Sequence, residues 1–188
     1  GLGAGNQAVD LTGVISTGTL IAETAPGATL SAATLLNPRF AIQSSGVGGA
    51  SQTLTIAASL ANGRTIRASG EVVVTGLNGT TVDLSRVQSL GSASLTRRVV
   101  VASDNTLSSS TDLGSFAIEV AAGKTLTLSA AQASGRSVTG QGNVAIVGVD
   151  DRTLDFSGVS ASGARTASLA STANAVLLDG ASRLGSVT

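Results

Sequence analysis

The sequence lacks several residue types on which common protein activities depend. It has no Cys, His, Met, Trp or Tyr, and three Phe residues are its whole aromatic content. Without Cys there is neither a disulfide framework nor a thiolate metal site. Without His the commonest general base is missing. The sequence also lacks a Gly-x-Ser-x-Gly nucleophile elbow and a complete Gly-x-x-x-x-Gly-Lys-Ser/Thr phosphate loop. We therefore expect that this chain is not an enzyme and carries no cofactor.

Charge is scarce and balanced. Eleven basic residues match eleven acidic ones, and charged residues make up 12% of the chain, about half the usual share. Binding to nucleic acid needs a basic face, so we do not expect a nucleic-acid partner. There is no unbroken apolar run of membrane-spanning length and no N-terminal signal pattern, so we expect no direct membrane insertion. Hydrophobic residues form 42% of the chain, unlike disordered sequences, and predict that it folds.

The sequence does contain one ten-residue phrase in three copies, at residues 9–18, 82–91 and 154–163. Each copy reads apolar, Asp, Leu or Phe, Ser or Thr, any residue, Val, three of any kind, and Gly. The copies start 73 (82 − 9) and 72 (154 − 82) residues apart. Around the phrase, residues 52–88 align without a gap on residues 124–160. Such a long internal repeat indicates a repeat architecture.

A shorter spacing lies inside the long one. Segments that open on Thr, an apolar residue, and then Thr, Ser or Asp recur at intervals of about 19 to 30 residues. Short β-branched runs, such as residues 71–75, 98–101 and 144–147, alternate with Gly and Asn-Gly turns. Extended 3.6-residue periodicity is missing, and the Ala-rich stretches at residues 57–58 and 130–133 predict single helical turns at most.

These patterns predict an all-β fold, a parallel β-solenoid of about seven or eight coils of roughly 19–30 residues with a three-coil super-repeat of about 72 residues. We expect one continuous solenoid over residues 1–188. Because both ends stop in mid-phrase and Met is absent, we expect a fragment of a longer array or a subunit that stacks end to end. One inward column is predicted to consist of Leu30, Leu54, Val82, Leu107, Leu126 and Leu154.

The phrase leaves open which of its apolar residues point inward. One set is Val9, Val82 and Leu154, and the other is Leu11, Leu84 and Phe156.

The repeated aspartates, Asp10, Asp83 and Asp155, are the first candidate site residues. If three coils separate each pair, neighbouring copies lie about 14 Å apart along the solenoid axis, which is too far to share a metal ion or to form an acid and base pair. We interpret them as structural repeat markers that bond the backbone at a corner. Calcium at the turns of Asp150-Asp151 or Asp104-Asn105 is an alternative, although the calcium-binding nonapeptide is absent.

Two further groups of polar residues are candidates. An outward recognition face is predicted to comprise Thr29, Thr53, Thr55, Thr106, Thr125 and Thr127. Paired Thr residues on a flat β-face resemble the ice-binding surface of solenoid antifreeze proteins, although the second Thr of the pair is replaced in most segments. The arginines at positions 64, 97, 98 and 136 are interpreted as solubilising edge residues, with a sugar or anion contact as the alternative.

The composition, the Thr-Leu-Thr-Leu opening at residues 125–128 and the Leu-Asp-Phe-Ser phrase at residues 154–157 resemble β-solenoid regions of large bacterial surface proteins. These include filamentous-haemagglutinin-like adhesins, autotransporter passengers, and S-layer or biofilm fibre proteins. The resemblance implies an extracellular or cell-surface location and a structural role as an adhesin stalk, filament or layer. It also implies self-association or contact with a glycan or host surface. Alternatives are an ice-binding solenoid and a glycan-binding or glycan-degrading β-helix.

Overall fold

The chain is an all-β parallel β-solenoid of about seven turns, with 48% strand and 5% helix. This architecture is seen in a computed structural model that describes residues 5–6, 9–44, 52–79, 81–90, 95–150, 153–170, 185 and 187. The predicted fold class is confirmed. The strand-forming runs at residues 71–75, 98–101 and 144–147 all lie in strands.

Seventeen strands and two four-residue helices make up the described secondary structure. In chain order they are β1 (Gly5–Asn6), β2 (Asp10–Leu11), β3 (Leu20–Thr24), β4 (Ala28–Leu30), β5 (Leu35–Leu36), β6 (Phe40–Ser44), β7 (Gln52–Ala57), α1 (Ala58–Ala61), β8 (Ile66–Ala68), β9 (Gly70–Thr75), β10 (Val87–Ser89), β11 (Leu95–Val101), β12 (Asn105–Thr106), β13 (Ala117–Val120), β14 (Thr125–Ser129), α2 (Ala130–Ala133), β15 (Val138–Gly140), β16 (Asn143–Val149) and β17 (Arg165–Leu169).

The chain divides into two compact units. Unit 1 consists of Gly1–Leu77, Val82–Val99 and Asp112–Phe116. Within it, one sheet has the strand order β1-β4-β7-β9-β11, a second has the order β10-β8-β6-β3, and β2 pairs with β5. The pairing of β7 with β9 is unbroken over six residues, from Gln52 opposite Gly70 to Ala57 opposite Thr75. Every described strand pairing of this unit is parallel.

Unit 2 consists of Asn78–Thr81, Val100–Thr111 and Ala117–Thr188. Here β12, β14, β16 and β17 form a four-stranded parallel sheet, and β13 pairs with β15. The β14–β16 register runs from Thr125 opposite Asn143 to Ser129 opposite Val147. Unit 2 therefore repeats the backbone arrangement of unit 1, in which a strand of one coil pairs in parallel with a strand of the next coil.

The core is built from alternating residues of these strands. In β6 and β14 every second side chain is buried, as expected when one face of a strand points inward. The six residues of the predicted inward column are all buried, with at most 7% of their surface exposed. They do not form one column, however. Leu54 belongs to the sheet of β7 and β9 and Leu126 to the sheet of β12, β14, β16 and β17, while Leu30 pairs with Ile56.

Both apolar positions of the repeated phrase point inward in its second and third copies. Val82 and Leu84 are 1% and 2% exposed, and Leu154 and Phe156 are 2% and 0% exposed. The two alternatives were never exclusive, because residues two apart in extended backbone project to the same side. In the first copy the corresponding residues, Val9 and Leu11, are partly exposed.

The two helices are the single turns expected from the Ala-rich stretches. Each follows a strand of the repeat, and α2 begins with a capping box in which Ser129 and Gln132 exchange hydrogen bonds. Gly63 and Gly135 follow the helices with φ of 63° and 71°, a conformation that glycine adopts without strain. Among the described residues, no helix is long and apolar enough to cross a membrane.

Candidate functional site

Each repeated aspartate closes a turn with the residue two positions ahead. In every copy one carboxylate oxygen, Oδ1, accepts a hydrogen bond from a backbone N–H at 2.9 Å and another from a hydroxyl at 2.6–2.7 Å. These side-chain turns match the prediction that the repeated aspartates bond the backbone at a corner. The hydroxyl of Ser85 and then its N–H lower the pKa of Asp83. The partners of Asp10, Asp83 and Asp155 are Thr12, Ser85 and Ser157.

The same corner also receives contacts from the preceding coil. In unit 1 the N–H of Asp83 donates to Asn62 Oδ1 at 2.9 Å, across 21 residues. In unit 2 the N–H of Asp155 donates to Ser134 Oγ at 3.0 Å, again across 21 residues. In the second and third copies, the polar groups of the repeated phrase therefore form hydrogen bonds within their own turn and with the preceding coil.

A further aspartate, Asp112, occupies the same corner and was missed in the sequence because it lies outside the phrase. It pairs with Asp83 as an isolated parallel bridge, and its Oδ1 accepts from the N–H of Gly114 at 2.8 Å. The Asp-x-Gly spacing was the available signal. Nowhere in the described parts of the chain do three or more acidic, His or Cys side chains gather closely enough to hold a metal ion.

The interpretation of Arg64 as a solubilising edge residue is wrong, because its partly buried side chain bonds three backbone carbonyls. Arg64 Nε donates to the carbonyl of Leu60 at 2.9 Å, and its Nη1 donates to the carbonyls of Asn37 and Phe40 at 3.0 and 2.7 Å. Burial lowers the pKa of this guanidinium, although an arginine stays charged in proteins. Arg64 therefore ties the end of α1 to the preceding coil.

Arg136 repeats part of this arrangement, since its Nε donates to the carbonyl of Gln132 at 3.0 Å, at the end of α2. Of the adjacent pair, Arg98 forms an ion pair with Glu71 at 3.2 Å. Both Arg97 and Arg98 are partly exposed.

The candidate threonines lie on two sheets. Thr29, Thr53 and Thr55 belong to the sheet of β4 and β7, where Thr29 pairs with Thr55. Thr53 Oγ1 donates to Glu71 at 3.2 Å, so a carboxylate interrupts this row. The remaining three, Thr106, Thr125 and Thr127, belong to the sheet of β12 and β14 in unit 2.

Three of the candidate threonines therefore lie in a sheet of unit 1 and three in a sheet of unit 2. That the six form one outward recognition face stays a prediction. An ice-binding role remains a prediction.

The candidate calcium turns differ in what the structure shows. Asp104 Oδ1 accepts from the N–H of Thr125 at 2.8 Å, so this carboxylate ties two coils together. Asp150 is partly exposed, and Asp151 lies outside the described residues.

Four arginines line a groove over the sheet of β3, β6 and β8 in unit 1, and sequence reasoning missed it. The groove has a volume of about 530 Å³ and is lined by Arg39, Arg64, Arg67 and Arg86 together with polar residues such as Gln43. We call it the arginine groove. Its arginines are four of the ten in the chain, and none of the Asp and Glu residues that the structure describes lines it.

The arginine groove is assembled from coils that are distant in sequence. Arg67 on β8 lies between Gln43 on β6 and Gln88 on β10, while the carbonyl of Arg86 accepts from the N–H of Ile66 at 3.3 Å. The sequence offers no local motif for it, because its members belong to three different segments.

Comparison of the chain with family models, with curated proteins and with solved structures gives no match.

Proposed function

We propose that this chain is a structural repeat protein of the bacterial cell surface, a rigid solenoid segment that acts as an adhesin stalk or as a subunit of a self-assembling filament or layer. One observation carries the proposal: the polar residues that recur with the repeat bond the protein's own backbone. Asp83 and Asp155 close turns, Asn62 and Ser134 accept from the next coil, and Arg64 holds carbonyls of the coil before it.

The contacts that recur with the repeat stabilise the stacking of one coil on the next. A stalk or filament requires such stacking. In a solenoid each coil contacts its neighbours, so stability grows by adding coils along one direction. The location outside the cell is proposed from the resemblance in composition and phrase to bacterial surface solenoids. The absence of an enzymatic role and of a nucleic-acid partner stays part of this proposal.

Self-association is proposed at sheet edges. β3 is the terminal strand of its sheet, and no other strand in the described ranges pairs with its outer edge. An edge strand presents unpaired N–H and carbonyl groups to any further strand. A continuation of the same chain or a second copy would complete it.

Sedimentation velocity over a concentration series, together with negative-stain electron microscopy of the purified chain, tests the proposal. We expect elongated particles whose length increases by whole multiples as concentration rises. Compact particles that stay monomeric at all concentrations would contradict both the stalk and the filament.

The ice-binding alternative predicts thermal hysteresis that Thr53→Leu and Thr125→Leu each reduce. The absence of hysteresis in the parent protein would contradict the ice-binding alternative.

A further inference from the structure

The arginine groove holds positive charge that the described protein does not neutralise. Arg39, Arg67 and Arg86 are exposed, and in the described ranges their guanidinium groups form neither ion pairs nor hydrogen bonds. The carboxylate nearest in the strand register is Glu23, whose row continues through Gln43 to Arg67. Two strand spacings, roughly 10 Å, separate the backbone of Glu23 from that of Arg67, and no ion pair joins these two residues in the described chain.

The charge of Arg86 acts on Asp83, so this carboxylate offsets part of the positive charge of Arg86. One carboxylate does not balance four guanidinium groups. The groove therefore carries a net positive charge within a chain whose formal net charge is zero.

One guanidinium of the groove is held in place before any ligand arrives. Three hydrogen bonds from Nε and Nη1 fix Arg64 against Leu60, Asn37 and Phe40. Its Nη2 makes no hydrogen bond to any described residue. A donor that is already ordered loses little conformational freedom on binding, so Arg64 supplies a fixed anchor beside three exposed cations.

Guanidinium groups recognise oxyanions through paired N–H donors. We infer that the arginine groove binds an acidic oligosaccharide, one that carries carboxylate or sulfate groups on its sugars. Its volume of about 530 Å³ lies in the range of roughly 300–1,000 Å³ typical of small-molecule sites. The polar side chains of Thr19, Gln43 and Thr65 also line the groove and can bond sugar hydroxyls. This inference goes beyond the proposed structural role.

Two competing ligand classes fit the groove less well. An extended peptide binds a sheet by main-chain pairing at a free edge. The outer edge of β3 is free in the described ranges, but Gln43 and Arg67 lie on β6 and β8, which are each paired on both sides, so a peptide added at that edge would lie beside these side chains and not over them. Single-stranded nucleic acid binds by stacking its bases on aromatic side chains, and all three Phe residues of the chain are at most 6% exposed.

Calorimetric titration of the purified chain tests the inference with five probes. These are trigalacturonic acid for carboxylate, a sulfated trisaccharide for sulfate, neutral maltotriose, inorganic tripolyphosphate and a penta-aspartate peptide. The triple variant Arg39→Gln/Arg67→Gln/Arg86→Gln removes the exposed cations and leaves Arg64 in place. Lys124→Gln, which removes one partly exposed cation from unit 2 outside the groove, is the control. Far-UV circular dichroism establishes that each variant is folded.

We expect at least one acidic trisaccharide to bind, with its Kd raised at least tenfold by the triple variant and less than twofold by Lys124→Gln. Maltotriose should not bind. Which acidic sugar binds more tightly identifies carboxylate or sulfate as the preferred group. Equal binding to the parent and the triple variant, or tighter binding of tripolyphosphate or the aspartate peptide than of either acidic sugar, would overturn the inference.

A measurement on the parent protein keeps the test decisive if the triple variant does not fold. The Nε–Hε resonances of Arg39, Arg67 and Arg86 should shift on addition of the acidic sugar, whereas that of Arg165 in unit 2 should not. Shifts of similar size at all four arginines would mean non-specific charge attraction and would contradict a built site.

Discussion

Replacing Arg64 by Met isolates the contribution of a guanidinium that links two coils. Methionine replaces the aliphatic part of the arginine side chain with an unbranched chain of similar length, and its side chain has no N–H donor. The change removes the hydrogen bonds to the carbonyls of Leu60, Asn37 and Phe40, at 2.9, 3.0 and 2.7 Å. Two of these acceptors lie on the preceding coil, 27 and 24 residues earlier in the chain.

The expected loss follows from counting these bonds. A protein hydrogen bond contributes about 1 kcal/mol net, so three of them give roughly 3 kcal/mol. The larger value of about 1.5–3 kcal/mol for each bond to a charged group does not apply in full, because Arg64 itself is only partly buried. We expect Arg64→Met to lower the free energy of unfolding by about 3 kcal/mol.

Arg64→Lys and Arg67→Met are the matched variants. Lysine keeps the charge, but its single nitrogen cannot reproduce the fork that reaches carbonyls on two coils, so we expect a loss of roughly 2 kcal/mol from two missing bonds. Arg67 is exposed and has no hydrogen bond from its guanidinium in the described chain, so Arg67→Met should change stability by less than about 0.5 kcal/mol.

Urea unfolding followed by far-UV circular dichroism measures these differences, since the chain has no Trp or Tyr for fluorescence. The transition midpoint should fall while the dependence on urea concentration stays constant. If Arg64→Met and Arg67→Met were equally stable, the cross-coil role of Arg64 would be refuted.

Three further predictions concern the core, the turns and the coil spacing. Leu126→Ala, at a fully buried position, should destabilise the protein by about 2–5 kcal/mol in the same urea assay. Asp83→Ala should cost roughly 1–2 kcal/mol at pH 7. Since Ser85 lowers the folded-state pKa of Asp83, this stabilisation is present above about pH 4 and is lost as pH falls through the folded-state pKa, so the difference in stability between parent and variant should shrink as the pH is lowered below about 4. Gly140→Ala should cost about 2 kcal/mol or more, measured by thermal unfolding, because φ is 103° and a Cβ would collide with the Val120 backbone.

The Asp turns and the inward apolar residues could be predicted from the sequence because their causes are local. The hydrogen bonds of Asp83 reach Ser85, two residues away. Alternate burial follows from the two-residue period of a strand, and this period alone implies that Val82 and Leu84 share a face. The solenoid itself was predictable because its repeat recurs at regular intervals in the sequence.

The position of a residue around the coil was decided by the tertiary structure. Leu54 and Leu126 are equivalent in the 72-residue repeat but lie in different sheets, because coils of unequal length shift one copy relative to the next. The bonds of Arg64 span 24 and 27 residues, so its role depends on which coil precedes it. The arginine groove has the same origin: Arg39, Arg67 and Arg86 meet because stacking brings together three segments that share no local pattern.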